Sequence, residues 1–485
     1  MNRVPAETVY RIVYLSDDEA ALVALATTSR WLYACVAAQR KLWRLRFERD
    51  FPKQDENELR WLRHYARTHL AHLLFAEEQQ ETLLPTDELL DWFRVYCSRR
   101  ATEYRWRHGL YKEYQPEQAT GTHISGVRLQ SVISVGRELE DIYIISQRIM
   151  APQQQPVWVV EQLCWDGVDT DGMFVTEYRY SDEYLVIAIE ARSMSVGSTN
   201  ATLYAWHLNA LYLPPRLIMS KFAGSINLYK NWLVVSKHYM DDNIPGIVLI
   251  FDLAKRTSHP GILEVEANRI HMQVATEDGI RLLWRDKIKL EASHATISWR
   301  LWDFASDRAP PTQCLAVCET QFYAGDRSLE TCRIDDSRFV MYNRDYWENY
   351  TDTIPPTIAL MEITESDTGV TMKEKWSTAQ ELNAVKPIVS RGMLLITVPL
   401  KGRRLLNLSD GSLIHDIPVA TQYCWSGSGL YPLRSQWVNI GKNVTPEQLK
   451  ANPSIISSGL EGSSASPNAM LSFTDGVPVV ADVSI

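Results

Sequence analysis

The sequence predicts an α+β multidomain chain: a small all-α region, then an all-β, propeller-like domain of six or seven blades. Three observations predict this. The 485 residues leave room for about three units of ~150 residues, or for one small domain and one large one. The hydrophobic period is helical up to about residue 115 and strand-like beyond it. In the second part, paired apolar runs return at a nearly regular step.

Helices account for the first part. Pro5 suits a first helical position, where a missing N–H costs nothing. Val9, Ile12 and Val13 then recur on one helical face. The break Ser16-Asp17-Asp18-Glu19 offers oxygens to the orphan N–H groups of the next helix, whose stripe is Leu22, Leu25 and Ala26. Trp31, Leu32, Cys35 and Val36 follow. Leu42, Trp43 and Leu45 then lead to Pro52, which stops the helix. Two longer helices are expected over 56–80 and 87–108. The second opens at Thr86 or Asp87, closes at Gly109 and carries Trp92, Phe93, Tyr96, Tyr104 and Trp106.

Strand pairs account for the second part. Runs 142–146 and 157–161 form the first pair, then 184–190 and 202–208, 232–236 and 247–253, 280–284 and 297–304, 339–342 and 357–363, and 393–398 and 404–411. Successive pairs start 42, 48, 48, 59 and 54 residues apart. Continuous apolar runs of this length fit strands buried on both faces. A period near ~40–50 residues fits blades stacked in a ring, each covering the faces of its neighbours. A seventh pair is sought in 429–433 and 469–473. The stretch 441–468, rich in Ser, Pro, Asn and Gly, is expected to be a mobile loop or tail.

Composition excludes several classes. With 45% hydrophobic and 22% charged residues the chain can bury enough surface to order itself. No apolar run nears the ~20 residues of a membrane helix, and the start has no secretory pattern. Seven cysteines, an odd number at low density, argue for a reduced setting, so a cytoplasmic or nuclear location is expected. The Asn-x-Ser/Thr triplets therefore carry little weight. The net charge of −9 is uneven: residues 1–115 hold 18 Lys and Arg against 17 Asp and Glu. The rest is acidic and repels phosphate on average, so no nucleic-acid partner is expected.

Residues 4–43 resemble the F-box. The matching positions are Val4, Pro5, Glu7, Val9, Ile12, Leu22, Leu25, Ala26, Ser29, Arg30, Trp31, Leu42 and Trp43. Val4 stands where the family usually has Leu, and Thr27-Thr28 where Val-Cys is common. Residues 92–109 look like the helix that joins F-box to propeller in F-box proteins of the WD-repeat kind. Only Leu301-Trp302-Asp303-Phe304 resembles a Trp-Asp blade ending, and the Gly-His dipeptide is missing, so the second domain is read as propeller-like.

The resemblance implies three domains: an F-box at 1–52, linker helices at 53–114 and a substrate-recognition domain at 115–485. It implies docking on a Skp-type adaptor, and through it on the cullin of an SCF ubiquitin ligase, while the propeller binds a target protein. Size points the same way, since a unit of ~45 residues cannot easily close a core alone. The residues expected to meet the adaptor are Val4, Pro5, Val9, Ile12, Leu22, Leu25 and Trp43, with Trp31 internal. The competing readings are an F-box scaffold outside the ligase and an enzyme built on the propeller.

Catalytic signatures are missing: no phosphate loop, no His-Glu-x-x-His and no Gly-x-Ser-x-Gly occurs. Cys314, Cys318 and Cys332 lack a fourth ligand at zinc-finger spacing. His69 and His72 lie one helical turn apart and read as an exposed face. Arg99, Arg100, Arg105, Arg107 and His108 read as a solvated face or as partners of acidic groups. No catalytic set, metal site or cofactor is expected, and the chain is read as a non-enzyme.

Overall fold

The computed structural model describes residues 4–52, 56–70, 89–108, 112–118, 124, 126–135, 138–151, 154–191, 201–222, 224–237, 246–258, 263–265, 270–275, 279–290, 295–305, 314–322, 329–343, 357–366, 369–380, 382, 384–388, 392–398, 402–417, 425–426, 429–430, 469–474 and 477–482. The expected loop at 441–468 lies outside them.

Among the described residues six helices come first: α1 Ala6–Leu15, α2 Glu19–Thr27, α3 Arg30–Ala37, α4 Arg40–Asp50, α5 Glu56–His69 and α6 Trp92–His108. Pro5 precedes α1, as its fixed φ favours. The Asp18 carboxylate caps α2 by accepting from Ala21 N, and the Ser29 hydroxyl caps α3 by accepting from Leu32 N. The predicted helix 56–80 ends at His69, and residues 71–88 lie outside the described ones.

Strands then fold into successive antiparallel sheets. The first sheet joins 127–135, 142–149 and 157–161, with 117–118 added in parallel. The second runs 173–180, 184–191, 201–207, 216–222; the third 224–229, 232–237, 246–252, with 257–258 and 263–265 both on its last strand. The fourth runs 270–275, 279–290, 295–305, 314–322, and the fifth 329–333, 338–343, 357–366, 369–379. The sixth runs 384–388, 393–398, 402–407, 413–417. From the second sheet to the sixth, the first strands of neighbouring sheets lie against each other. The fold is therefore an N-terminal helical region followed by a β-propeller.

All six apolar pairs predicted from the sequence are hydrogen-bonded neighbours in these sheets. The reason is visible in strand 184–191. Leu185, Ile187 and Ile189 pack into a core shared with Ile133 and Ile144 of the first sheet, while Val186 and Ala188 pack with Ile226, Leu233 and Val235 of the third. Each residue parity serves a different neighbour, so the run has no polar alternation. Strand 338–343 repeats the arrangement: Phe339 and Met341 meet the fourth sheet, Val340 and Tyr342 the sixth.

The seventh pair is a correction. Strand 469–474 pairs with 477–482, whereas 429–430 pairs with 425–426. The missing partner comes from the other end of the chain: 112–114 joins 477–482, with Lys112 opposite Asp482 and Tyr114 opposite Val480. These three strands form one sheet whose strand 469–474 lies against strand 127–135 of the first sheet, and 112–114 falls inside the predicted linker.

Candidate functional site

The helical region is built on aromatic side chains. Trp43 and Phe47 of α4, Phe51 beyond it, Trp61 and Tyr65 of α5, and Trp92, Phe93 and Tyr96 of α6 form one buried cluster with Val9, Val13, Leu22, Cys35 and Val36. Trp43 stands 4.7 Å from Phe93 and 5.6 Å from Tyr96 between ring centroids. Its indole Nε1 donates to Val36 O at 2.8 Å. Arg46 lies buried over the Trp43 ring at 4.8 Å and donates to Ser16 O at 2.5 Å, tying off the end of α1.

Three of the residues expected to meet an adaptor are therefore inward. Val9, Leu22 and Trp43 are buried by the chain's own helices: α3 packs on α1 and α2, and α6 packs on α3 and α4, where Phe93 and Tyr96 cover Trp43. Leu25 is half-buried against the same cluster. Trp31, expected inside, is exposed: Leu32, Cys35 and Val36 take the inner face of α3, and its turn places Trp31 beside that face.

Apolar side chains remain on the outside. Val4 and Pro5 are exposed, Ile12 is 46% exposed, and Leu15 is 67% exposed. Ile12 and Leu15, at i and i+3, share one flank of α1 opposite the tyrosine side, where Tyr14 is 71% exposed. Leu45 adds to the set on α4, at 63% exposure. Tyr33 is different. Its hydroxyl donates to Asp91 at 2.9 Å, and burial together with that bond pushes its pKa up to about 12.

Charged pairs brace the helices. Arg99 holds Glu58 through two bonds of 2.6 Å, buried on both sides. Arg100 reaches Asp50 at 2.6 Å and Glu19 at 3.2 Å. Burial pushes the Asp50 carboxyl up, but bonds from Arg49, Tyr96 and Arg100 outweigh it and hold it below the usual aspartate value. The predicted basic run on α6 is thus partly spent inside the region.

A polar joint ties helices to ring. His64 on α5 is buried against Gln147 Oε1 at 3.0 Å, which also accepts from Gln130 Nε2 at 2.7 Å. Arg63 meets Asp182 at 2.5 Å, and Arg128 donates to Asp182 O at 2.8 Å. His64 is a residue whose role the sequence does not reveal. His72 lies outside the described residues, and the His69 ring nitrogen meets Tyr65 O at 2.9 Å rather than sharing a ligand.

Within the ring, Trp302 and Asp303 of the Trp-Asp ending lie on strand 295–305, where Asp303 pairs with Arg281 at 3.3 Å. Charged and aromatic groups also gather where the first strands end. Arg333 Nη2 donates to Tyr229 Oη at 2.8 Å and to Asp336, and Arg338 pairs with Asp335 at 2.6 Å. Among the described residues no group of three or more His, Cys, Asp or Glu is placed to hold a metal, and no helix is long and apolar enough to cross a membrane.

No family model matches the chain, and no curated protein matches it. Similar solved structures include a putative 6-phosphogluconolactonase from Bacteroides fragilis, at 10% identity and TM-score 0.28 over 59% of this chain and 93% of that one. They also include U3-55K, at 12% identity and TM-score 0.29 over 61% and 86%. A computationally designed protein, Ika8, is similar at 11% identity and TM-score 0.25 over 62% and 90%. These likenesses are distant, and the propeller rests on the sheets described above.

Proposed function

We propose that this chain is the substrate-recognition subunit of an SCF-type cullin–RING ubiquitin ligase. The helical region docks a Skp-type adaptor and, through it, the cullin, and the propeller, read as six or seven blades, binds a target protein. The carrying observation is the apolar set left outside a finished core: Val4, Ile12 and Leu15 around α1, Trp31 on α3 and Leu45 on α4. Five large apolar side chains exposed within one region of about 45 residues offer a surface that a partner helix could cover. The F-box resemblance supplies the identity of the partner. Among the described residues, five sheets whose first strands neighbour one another, with one further four-stranded sheet and one of three strands, support reading the second domain as a propeller. Catalysis would then be proximity, with the receptor raising the effective concentration of target lysines near charged ubiquitin.

The test is capture of a Skp adaptor by the purified full chain. Wild type should retain it. Ile12→Asp and Trp31→Ala should lose it, by roughly 1–3 kcal/mol each, with unchanged thermal stability. Leu22→Asp should instead unfold the helical region. Equal capture by Ile12→Asp and wild type counts against docking through this surface.

A second reading is an interaction protein that works outside the ligase. Burial of Val9, Leu22 and Trp43 within the helical region favours it, because the helical core is already closed. Adaptor capture without cullin recruitment or target turnover would select this reading. A cytoplasmic or nuclear location belongs to both.

A further inference from the structure

Two cations converge on one aromatic ring where the first strands end. Tyr229 closes strand 224–229 and Arg333 closes strand 329–333. Their sheets are two steps apart, so the side chains meet across strand 270–275 of the sheet between. The Arg333 guanidinium carbon stands 4.1 Å over the Tyr229 ring, and Lys230 Nζ stands 5.5 Å from the same centroid. Asp336 accepts from Arg333 while its own side chain is 69% exposed.

The backbone supplies an independent observation. Tyr229 pairs with Trp232, so Lys230 and Asn231 form a two-residue turn, and Lys230 sits at φ 55. Gly, Asn or Asp normally fill such a turn position, since a side chain there is strained. Asn231 holds the turn by donating to Asp252 at 2.8 Å. Lys221 and Arg256 share this backbone conformation, and what sets Lys230 apart is that its turn carries the ammonium to the ring that Arg333 covers.

We propose that Tyr229, Lys230 and Arg333 bind a carboxylate-rich segment of a target protein, and that Asp336 holds the carboxylate position until the segment displaces it. The ring face of Tyr229 keeps the guanidinium flat, so its edge presents donors to a planar carboxylate. The exchange is one of partners: Asp336 leaves Arg333 for solvent, and a target carboxylate takes its place. Most of the ring's charge is acidic, so a long polyanion such as a nucleic acid is repelled beyond the cluster, whereas a short acidic segment is not. Arg63 of α5 meets Asp182, in the turn after first strand 173–180, so the helical region is anchored at this same end of the ring. That the target is a protein rests on the proposed receptor role; the anion site rests on the geometry alone.

The experiment is fluorescence anisotropy of the full chain with labelled oligoglutamate, and with oligoglutamine as control. Wild type should bind oligoglutamate at least about tenfold more tightly, with affinity falling as salt rises. Asp336→Asn should tighten binding several-fold. Lys230→Gly should weaken it roughly fivefold while raising the melting temperature, since glycine accepts φ 55 without strain. Weaker binding in a more stable variant separates lost recognition from lost folding. Equal binding of the two peptides, or unchanged affinity in Lys230→Gly, overturns the proposal. Tighter binding of an oligonucleotide of equal charge overturns its assignment to a protein segment. Failure of adaptor capture with oligoglutamate binding intact removes the ligase reading and leaves this site standing.

Discussion

Gly411 turns the chain at φ +71, and a Cβ there would meet Trp376 at 2.6 Å. The indole cannot retreat, because its Nε1 donates to Leu408 O at 2.9 Å and so links the fifth sheet to the sixth. Gly411→Ala therefore meets both backbone strain and overpacking, and should cost about 2 kcal/mol, read as a lower urea midpoint. Glu58 poses the opposite problem, a charge that is matched rather than a space that is filled. Glu58→Gln would leave Arg99 buried without its counter-charge and should destabilise by about 3–5 kcal/mol. Replacing both by Met should cost less, so comparing single and double variants in denaturant separates the pair's worth from the penalty of breaking it.

Elements show where sequence is sufficient. α2 and α3 are short and rely on their caps, so Ser29→Ala should cost about 1 kcal/mol in chemical denaturation. The Asp18 cap, the helical stripes and all six strand pairs were legible because local rules govern them, whereas the helix expected to open at Thr86 or Asp87 begins at Trp92, with Asp91 accepting from Arg94 N. Strand 184–191 advertises itself as a run of apolar residues because sheets cover both of its faces. The candidate docking surface was only half legible. A stripe such as Val9, Ile12, Val13 says which side of a helix is apolar, not which members the neighbouring helices will cover. Ile12 and Val13 are neighbours in sequence, yet one is exposed and the other fully buried. Trp31 misled for the same reason, since its bulk suggests burial while the helical turn decides it. The Tyr229–Lys230–Arg333 cluster had no sequence signal, because its members are brought together only by the ring.

At the scale of the molecule, acid should act on helices and ring together. Asp50 braces the helical region and Asp335 a turn of the fifth sheet. Burial raises the Asp335 carboxyl, but bonds from Arg338 and Ser337 outweigh it and hold it low. Depressed carboxylates stabilise the fold fully above the ordinary aspartate value and lose that stabilisation as pH falls through the folded value. Thermal stability should therefore be level near neutrality and decline below about pH 4, with Asp50→Asn and Asp335→Asn each flattening the decline. Calorimetry across that range checks it. The pairing of 112–114 with 477–482 has its own consequence for biosynthesis. A ribosome delivers the helical region and the opening strand early, and their closing partner only when nearly all of the ring has been made. Until then the nascent chain holds strand 112–114 with its edge unpaired, so the helices can mature during translation while that strand waits for its late partner.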